Sequence, residues 1–207
     1  MFENKVFDAR KEELPVQEIN FENETITQLD CSKIDFKSVN FRQCKFIDCI
    51  FKSTYFVNTS LENCDFSNSN FSDSYFKNCY IKGCKANGSN FVDTKFNQVQ
   101  INNSFFRYAN MTDSLWENCR ISDSDFQESF MSKVKFKRIE LYKVNLSGVD
   151  FFNTILKNVD LSNCSIDGFM VSDKYSELRG AKINIMQTVE IAKLLGMQIV
   201  ECIDSKS

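Results

Sequence analysis

An apolar residue occupies every fifth position of this sequence from Phe21 to Val171. The series covers 31 consecutive pentapeptides without a missed position, and 15 of these residues are Phe. We call this residue the centre of its pentapeptide. An α-helix repeats every 3.6 residues and a β-strand every two, so neither conformation keeps a period of five on one face. The repeat therefore predicts a solenoid of short, nearly identical units.

A second column, of small residues, accompanies the centres. The residue two positions before the centre is Ala, Cys, Ser, Thr or Val in 25 of the 31 pentapeptides, and the other three residues are mostly polar. One large and one small inward residue per unit fit a coil with four short sides. Each pentapeptide then forms one side, and 20-residue coils stack at the spacing of paired strands. The single proline agrees with this arrangement, because proline would remove a hydrogen-bond donor from the stack.

The tandem units resemble those of the pentapeptide-repeat proteins. Two successive examples are Cys64-Asp65-Phe66-Ser67-Asn68 and Ser69-Asn70-Phe71-Ser72-Asp73. The resemblance implies an all-β fold, a right-handed quadrilateral β-helix, and it speaks for fold far more than for function. We divide the sequence into an N-terminal cap (1–18), the β-helix (19–173) and a C-terminal segment (174–207).

The C-terminal segment departs from the period of five. Residues 184–195 have helical spacing, Asn184 and Gln187 are spaced as in a capping box, and residues 197–200 alternate like a short strand. The apolar face of this helix is too wide for the end of one narrow rod. It predicts a homodimer contact formed by Ile185, Met186, Val189, Leu194 and Leu195.

The same segment is similar to the C-terminus of the Qnr-type quinolone-resistance proteins. The matching residues are Leu178 to Asn184, then Gln187, then Leu194 to Ile199. The resemblance implies two rods paired end to end, a rod like a DNA duplex in size and charge, and binding to DNA gyrase or topoisomerase IV that protects them from fluoroquinolones. Family members that carry projecting loops differ from this chain, whose unbroken register leaves no room for them. Two alternatives stay open: an immunity protein against a gyrase-directed toxin, and a scaffold solenoid for an unrelated protein.

Composition predicts no enzyme, no cofactor, no metal site and no small-molecule substrate. The chain has no His, which excludes His-based acid–base catalysis and His metal ligands. Eight of its nine Cys residues fall in the two inward columns, which predicts buried reduced thiols, and only Cys202 lies outside them. The polar N-terminus and the lack of a long apolar run predict a cytoplasmic protein with no membrane partner.

Outward charge is distributed unevenly among the four sides of the predicted rod. Residues 20 apart share a side, and the sides carry net charges of −1, −2, −3 and +5. Asp73, Asp93 and Asp113 form a column on the −3 side, with Asp150 further along. This column is either a partner-binding surface that imitates a row of phosphates or solvated charge that keeps the rod soluble. The +5 side is sparse, and we predict no direct nucleic-acid contact.

Outward aromatic residues are the third feature of the predicted surface. Phe105, Tyr108 and Phe130 point outward by the register of the repeat. They either mark an interface, as clustered exposed apolar groups can, or stack on neighbouring coils.

Overall fold

The computed structural model describes residues 1–200 of the chain. It confirms the predicted quadrilateral β-helix: a parallel β-solenoid in which residue i lies beside residue i+20, with a helix at each end. The helices are α1 (Phe2–Glu12) and α2 (Thr188–Leu194), with a 3₁₀ turn at Ser176–Leu178. The strands are β1 (Val16–Gln17), β2 (Asn20–Glu22), β3 (Thr25–Thr27), β4 (Asp35–Lys37), β5 (Asn40–Arg42), β6 (Lys45–Ile47), β7 (Tyr55–Val57), β8 (Ser60–Glu62), β9 (Tyr75–Lys77), β10 (Tyr80–Lys82), β11 (Lys95–Asn97), β12 (Gln100–Asn102), β13 (Leu115–Ser122) and β14 (Lys135–Tyr142).

Two adjacent sides of the rod are strand-shaped and the other two are mostly turn-shaped. The first side carries β1, β4, β7, β9 and β11, and the second carries β2, β5, β8, β10 and β12. Both β13 and β14 run along the first side and continue onto the second. On the third side β3 pairs with β6, and single bridges from Lys45↔Asp65 onward join the later coils. The fourth side is joined by single bridges from Asp30↔Ile50 to Asp150↔Met170.

The chain turns each corner through a residue in the left-handed backbone conformation. In every pentapeptide from Glu18 to Asn158 the residue two positions after the centre has a positive φ, from +48° at Asp123 to +68° at Gly148. This conformation costs little for Gly and is tolerated by Asn and Asp better than by most residues. The frequency of these residue types at this position therefore follows from backbone geometry.

The two inward columns form one continuous core. Every centre from Phe21 to Met131 is buried, and Phe rings stack on rings 20 residues away, such as Phe51 on Phe71 at 4.9 Å between centroids. Hydroxyls of the small column donate to main-chain carbonyls of the coil below, as Ser74 Oγ does to Phe51 O at 2.6 Å. Because a buried hydroxyl without a partner is costly, this bond explains why Ser and Thr are accepted beside the Phe column.

Cysteines in the small column pack in the same way as these hydroxyls. The eight Cys residues within 1–200 are free and buried, which confirms their predicted place in the core, whereas Cys202 lies outside the described residues. Burial raises the pKa of the Cys79 thiol to about 12 and that of Cys119 to about 11. These thiols are therefore protonated at neutral pH.

We expect these thiols to be unreactive in the folded protein. In the Cys202→Ser variant, Ellman's reagent at mildly alkaline pH should modify the eight remaining thiols far more slowly than a free thiol, because both access and the thiolate are lacking. All eight should react in concentrated guanidinium chloride. Fast reaction of even one thiol in the folded variant would contradict its burial.

The N-terminal cap is a helix, which the loose sequence pattern did not predict. Phe2 of α1 plugs the middle of the first coil, with its ring 5.0 Å from Phe21 and 5.3 Å from Phe46 between centroids. The main-chain N–H of Phe2 donates to Glu24 Oε2 at 2.9 Å. Glu24 stands in the small column, where a carboxylate would be costly, and the cap supplies its partner. The strand β1 pairs Val16 with Phe36, so the ladder begins inside the predicted cap.

The C-terminal cap ends the core with buried polar groups. Glu177 is fully buried and accepts hydrogen bonds from Asn153 N and Ser172 Oγ, both at 2.9 Å. Burial alone would raise the pKa of Glu177, but the donated hydrogen bonds lower it overall. Its carboxylate takes the place of carbonyls that a further coil would have provided. Within residues 1–200, neither helix has the length and apolar content needed to cross a bilayer.

Candidate partner-binding surface

The column of Asp73, Asp93 and Asp113 lies at the edge of the fourth side, on in-register coils. All three side chains are exposed, and each residue occupies the left-handed corner position, with φ of 60°, 57° and 60°. Stacked coils are about 4.8 Å apart, so the carboxylates form a row along the rod. Asp73 pairs with Lys52 at 3.6 Å, and among the described residues no ion pair engages the other two.

Backbone geometry accounts for the residue type at these positions but leaves the charge unexplained. Asn tolerates the left-handed conformation as well as Asp does, and Asn68 and Asn78 occupy the same corner position in neighbouring pentapeptides. Stacked carboxylates repel one another. The negative charge is therefore the part of this column that folding does not require.

A surface groove of about 630 Å³ runs beside the acidic column, at the corner between the fourth and first sides. Asp73 and Asp93 line this groove together with Tyr55, Tyr75 and Leu115. The rings of Tyr55 and Tyr75 meet edge to face at 5.9 Å between centroids. Tyr55 was missed by sequence reasoning, although its position 20 residues before Tyr75 places the two rings side by side.

Asp150 does not belong to the acidic column. It stands one position before its centre, in the ladder Asn110, Phe130, Asp150 of the fourth side. Its carboxylate accepts hydrogen bonds from Ser132 Oγ at 2.7 Å and from the main-chain N–H of Phe152 at 2.8 Å. Because these local bonds occupy its carboxylate, we expect Asp150 to contribute less to a partner contact than Asp93 or Asp113.

The three outward aromatic residues are exposed, as their register predicted. Phe105 lies on the third side between Lys85 and Asp125, and Phe130 lies on the fourth side. Among the described residues, neither ring packs on the other or on Tyr108. The structure therefore offers three separate apolar spots, and whether a partner uses them stays a prediction.

The C-terminal helix is shorter than predicted. The sequence pattern indicated a helix over residues 184–195, but α2 begins at Thr188, and Ile185 and Met186 lie in the turn before it. The predicted strand over residues 197–200 is absent from the described structure.

Asn184 and Gln187 form a reciprocal pair of hydrogen bonds, in agreement with their spacing. Asn184 N donates to Gln187 Oε1 at 2.8 Å, and Gln187 N donates to Asn184 Oδ1 at 3.0 Å. The buried amide of Gln187 also donates to the carbonyls of Leu161 at 2.8 Å and Cys164 at 2.7 Å. These bonds fasten the segment before the helix to main-chain carbonyls of the last coil.

The predicted dimer residues divide into two groups. Ile185, Met186, Val189 and Leu195 are exposed, and the exposed fractions of Ile185 and Met186 reach 82% and 77%. Leu194 instead packs against the core of the same chain. An apolar patch therefore remains on the outer face of the cap.

Little in the described residues provides for bond-making chemistry. The enclosed cavities of about 10 and 20 Å³ are lined by apolar side chains and Cys84. Among residues 1–200, no group of Cys, Asp and Glu is arranged to hold a metal ion. The surface features that stand out are the acidic column, its groove and the apolar patch of the cap, all of which suit contact with another protein.

Two family models match the sequence. The model described as "Pentapeptide repeat region" covers residues 55–131, and that described as "Pentapeptide repeats (8 copies)" covers residues 34–73 and 131–168. A search of the curated proteins found no match.

Solved structures match this chain at low identity. One is QnrB1, a plasmid-mediated fluoroquinolone resistance protein, with 18% identity, a TM-score of 0.43, and 89% of this chain and 99% of that chain covered. Another is HetL from Nostoc sp. strain PCC 7120, a pentapeptide repeat protein involved in heterocyst differentiation regulation. It has 12% identity, a TM-score of 0.36, and 86% and 95% of the two chains covered. The family models and the coil-by-coil burial together identify this chain as a member of the pentapeptide-repeat family.

Proposed function

We propose that this rod is a non-enzymatic cytoplasmic protein that binds a type II topoisomerase, DNA gyrase or topoisomerase IV, and protects it from fluoroquinolones. The proposal is supported by the Qnr-like C-terminal residues. Their Asn184–Gln187 pair has a definite structural role at the junction of rod and cap. The rod would present its acidic column to the basic surface on which the enzyme holds DNA.

The observation that carries this proposal is the exposed carboxylate row. Each DNA strand has one charge per about 3.4 Å, and a row repeating every 4.8 Å or so offers a comparable, sparser series. The first side carries a net charge of +5 and the fourth side a net charge of −3, so charge is distributed unevenly around the cross-section of the rod. A basic groove would attract the acidic column and repel the net-positive first side, so the rod would meet it along the fourth side.

A supercoiling assay with DNA gyrase and ciprofloxacin tests the proposal directly. We expect added rod to raise the ciprofloxacin concentration that halves supercoiling by several-fold, because it competes for the DNA-binding surface at which the drug traps cleaved DNA. No rescue at any rod concentration would refute it. Rescue from a gyrase-directed toxin without rescue from ciprofloxacin would favour an immunity protein, and failure to bind either topoisomerase would leave a scaffold for another partner.

We also propose that the rod is a homodimer joined through its C-terminal cap. The support is the exposed patch of Ile185, Met186, Val189 and Leu195, which a lone rod would leave in water. Two copies that meet through the same patch would bury it symmetrically.

Sedimentation of a charge-substituted variant tests this contact. We expect the wild-type protein to sediment as twice 24.1 kDa and the double variant Ile185→Asp, Met186→Asp to sediment as a monomer, because each carboxylate would be buried unpaired. Ile47→Asp is the control, since Ile47 is an exposed apolar residue far along the chain from the cap. A wild-type monomer, or a double variant that stays dimeric, would contradict the proposal.

A further inference from the structure

Three exposed aromatic residues follow one another diagonally across the fourth side of the rod. Tyr108, Phe130 and Phe152 are spaced 22 residues apart, so each lies one coil beyond the last and two residues further along that coil. Tyr108 stands at the corner between the third and fourth sides, and the other two lie on the fourth side. Each side chain is about half exposed. The rings do not stack on one another, but together they form a line, which we call the aromatic stripe.

Two further apolar side chains extend the aromatic stripe towards the C-terminal cap. Met170 follows Asp150 in the ladder of the fourth side, and Ile155 lies just past the next corner; both are exposed. The three half-exposed rings alone present roughly 300 Å² of surface. Exposed apolar patches of this size on a monomer are often functional. The other exposed large apolar residues between positions 21 and 171 are spread over all four sides: Ile47, Ile50, Tyr55, Phe105 and Tyr142.

Local hydrogen bonding favours a different residue type at the position of Phe130. In the same ladder, the Oδ1 atoms of Asn70, Asn90 and Asn110 each accept a hydrogen bond from the main-chain N–H two residues later, at 3.0 to 3.1 Å. Asp150 in the next coil accepts the equivalent bond at 2.8 Å. The side chain of Phe130 has no acceptor atom, so its turn lacks this bond. The ring at this position therefore does not serve the turn.

Backbone conformation likewise favours a different residue type at Tyr108. Its φ is +58°, in the left-handed region, where Gly and Asn are tolerated better than a bulky side chain. The same corner is occupied in other coils by Asn68, Gly88, Gly148 and Gly168. Two of the three rings thus stand where the fold prefers other residues, and exposed rings do not improve solubility. Such departures from local preference are expected at functional sites.

Carboxylates flank the aromatic stripe on both sides. Glu128 lies directly beyond Tyr108 at the same corner, and Asp113 lies at the opposite corner of the fourth side. Both are exposed, and neither has an ion pair among the described residues. Lys133 is the one basic residue of the fourth side in the coils that carry the stripe. An occupant with basic residues beside its apolar ones would be attracted here, and an acidic one would be repelled.

We propose that the aromatic stripe binds an amphipathic α-helix of a partner protein, with lysine or arginine beside its apolar face. Coils about 4.8 Å apart and an advance of two residues per coil place successive rings about 8 Å apart, so the stripe is roughly 16 Å long. Three turns of α-helix have about this length. Apolar side chains of the helix would cover the three rings, and its basic residues would meet Asp113 and Glu128.

Side chains, and not main-chain groups, would hold this helix. The main chain of the fourth side is already paired from coil to coil, as where Phe130 N donates to Ala109 O at 2.9 Å and Met131 N donates to Asp150 O at 2.8 Å. An extended segment would therefore find no free ladder on this side. The proposal does not rest on the topoisomerase contact, because any partner with such a helix would fit.

Peptide binding tests the occupant. The probe is a fluorescein-labelled helix of about 18 residues of leucine and lysine, with the leucines on one face, measured by fluorescence anisotropy against the full-length protein. We expect saturable binding, and the variant Tyr108→Asn, Phe130→Asn, Phe152→Ser should weaken it at least about tenfold. Neutralising the flanks with Asp113→Asn and Glu128→Gln should weaken it several-fold and reduce its dependence on salt.

The stripe variant is designed to keep the fold. Asn is favoured by the backbone at position 108 and by local hydrogen bonding at position 130, so its guanidinium midpoint should be no lower than that of the wild type. The matched control is Ile47→Ser, Phe105→Ser, Tyr142→Ser, which removes three exposed apolar side chains from the second and third sides. This control should bind the probe as the wild type does.

Four results would overturn the proposal. Unchanged binding by the stripe variant would show that the rings are not the site, and equal loss in the control would show unspecific adhesion of the probe. A lower unfolding midpoint of the stripe variant would show that the rings serve the fold. Sedimentation of the wild type as species larger than a dimer, lost in the stripe variant, would assign the stripe to contact between copies. No topoisomerase enters these measurements, so their outcome is separate from that of the protection assay.

Discussion

Replacing Phe71 by Ala is expected to lower the free energy of unfolding by about 3–5 kcal/mol. Phe71 is only 3% exposed and lies between Phe51 and Phe91, with both rings nearly parallel to it at 4.9 Å between centroids. Removing the ring leaves a cavity between two coils. The backbone ladder holds these coils at a fixed spacing, so the surrounding rings cannot collapse into the space.

Guanidinium unfolding followed by tryptophan fluorescence measures this loss. Trp116 is the only Trp in the chain, and it is buried against Phe96. Phe130→Ala is the matched control, because it removes the same ring from an exposed position of the same side and should cost about 0.5 kcal/mol or less. A loss below about 1 kcal/mol for Phe71→Ala would contradict its place in a closed core.

Changing Asp73, Asp93 and Asp113 together to Asn is expected to abolish most of the protection of DNA gyrase while leaving the fold intact. Asn is compatible with the left-handed corner conformation at all three positions, so the substitution removes charge without straining the turn. If the carboxylates contact a basic DNA-binding surface, at least about tenfold more rod should be needed for the same rescue from ciprofloxacin.

A second triple variant separates the position of the charges from their number. Asp48→Asn, Asp123→Asn and Glu128→Gln neutralise three carboxylates at the same corner position on other sides of the rod. We expect this variant to protect as well as the wild-type protein does. Equal protection by both triple variants and the wild type would remove the acidic column from the mechanism, and equal loss in both would show that net charge alone matters.

The period of five was sufficient to predict the core. It identified Phe71 and its equivalents as inward residues, and it placed Cys79 and Cys119 in the small column. This works because a solenoid uses the same contact in every coil, so one rule for inward and outward positions holds along the chain.

The ends of the rod were less predictable. The helix α1 lies before the first repeat, and its apolar pattern is weak. Its main-chain N–H at Phe2 is the hydrogen-bond partner of Glu24, which lies 22 residues further along the chain. The helix α2 begins at Thr188 rather than Asn184 because Asn184 and Gln187 bond to the last coil as well as to each other. Each cap occurs only once in the chain. Its short sequence pattern is therefore harder to interpret than that of the pentapeptide, which is repeated 31 times.

Among the surface residues, sequence alone placed Asp73, Asp93 and Asp113 in one row, because residues 20 apart must share a side of a four-sided coil. Only the tertiary structure showed the groove that Tyr55 and Tyr75 form beside that row, the local bonds that occupy Asp150, and the equivalent bond that Phe130 cannot accept. Side membership follows from counting along the chain. The groove and these local bonds depend on the shape of each side, which is decided by hydrogen bonds within and between coils and not by the period.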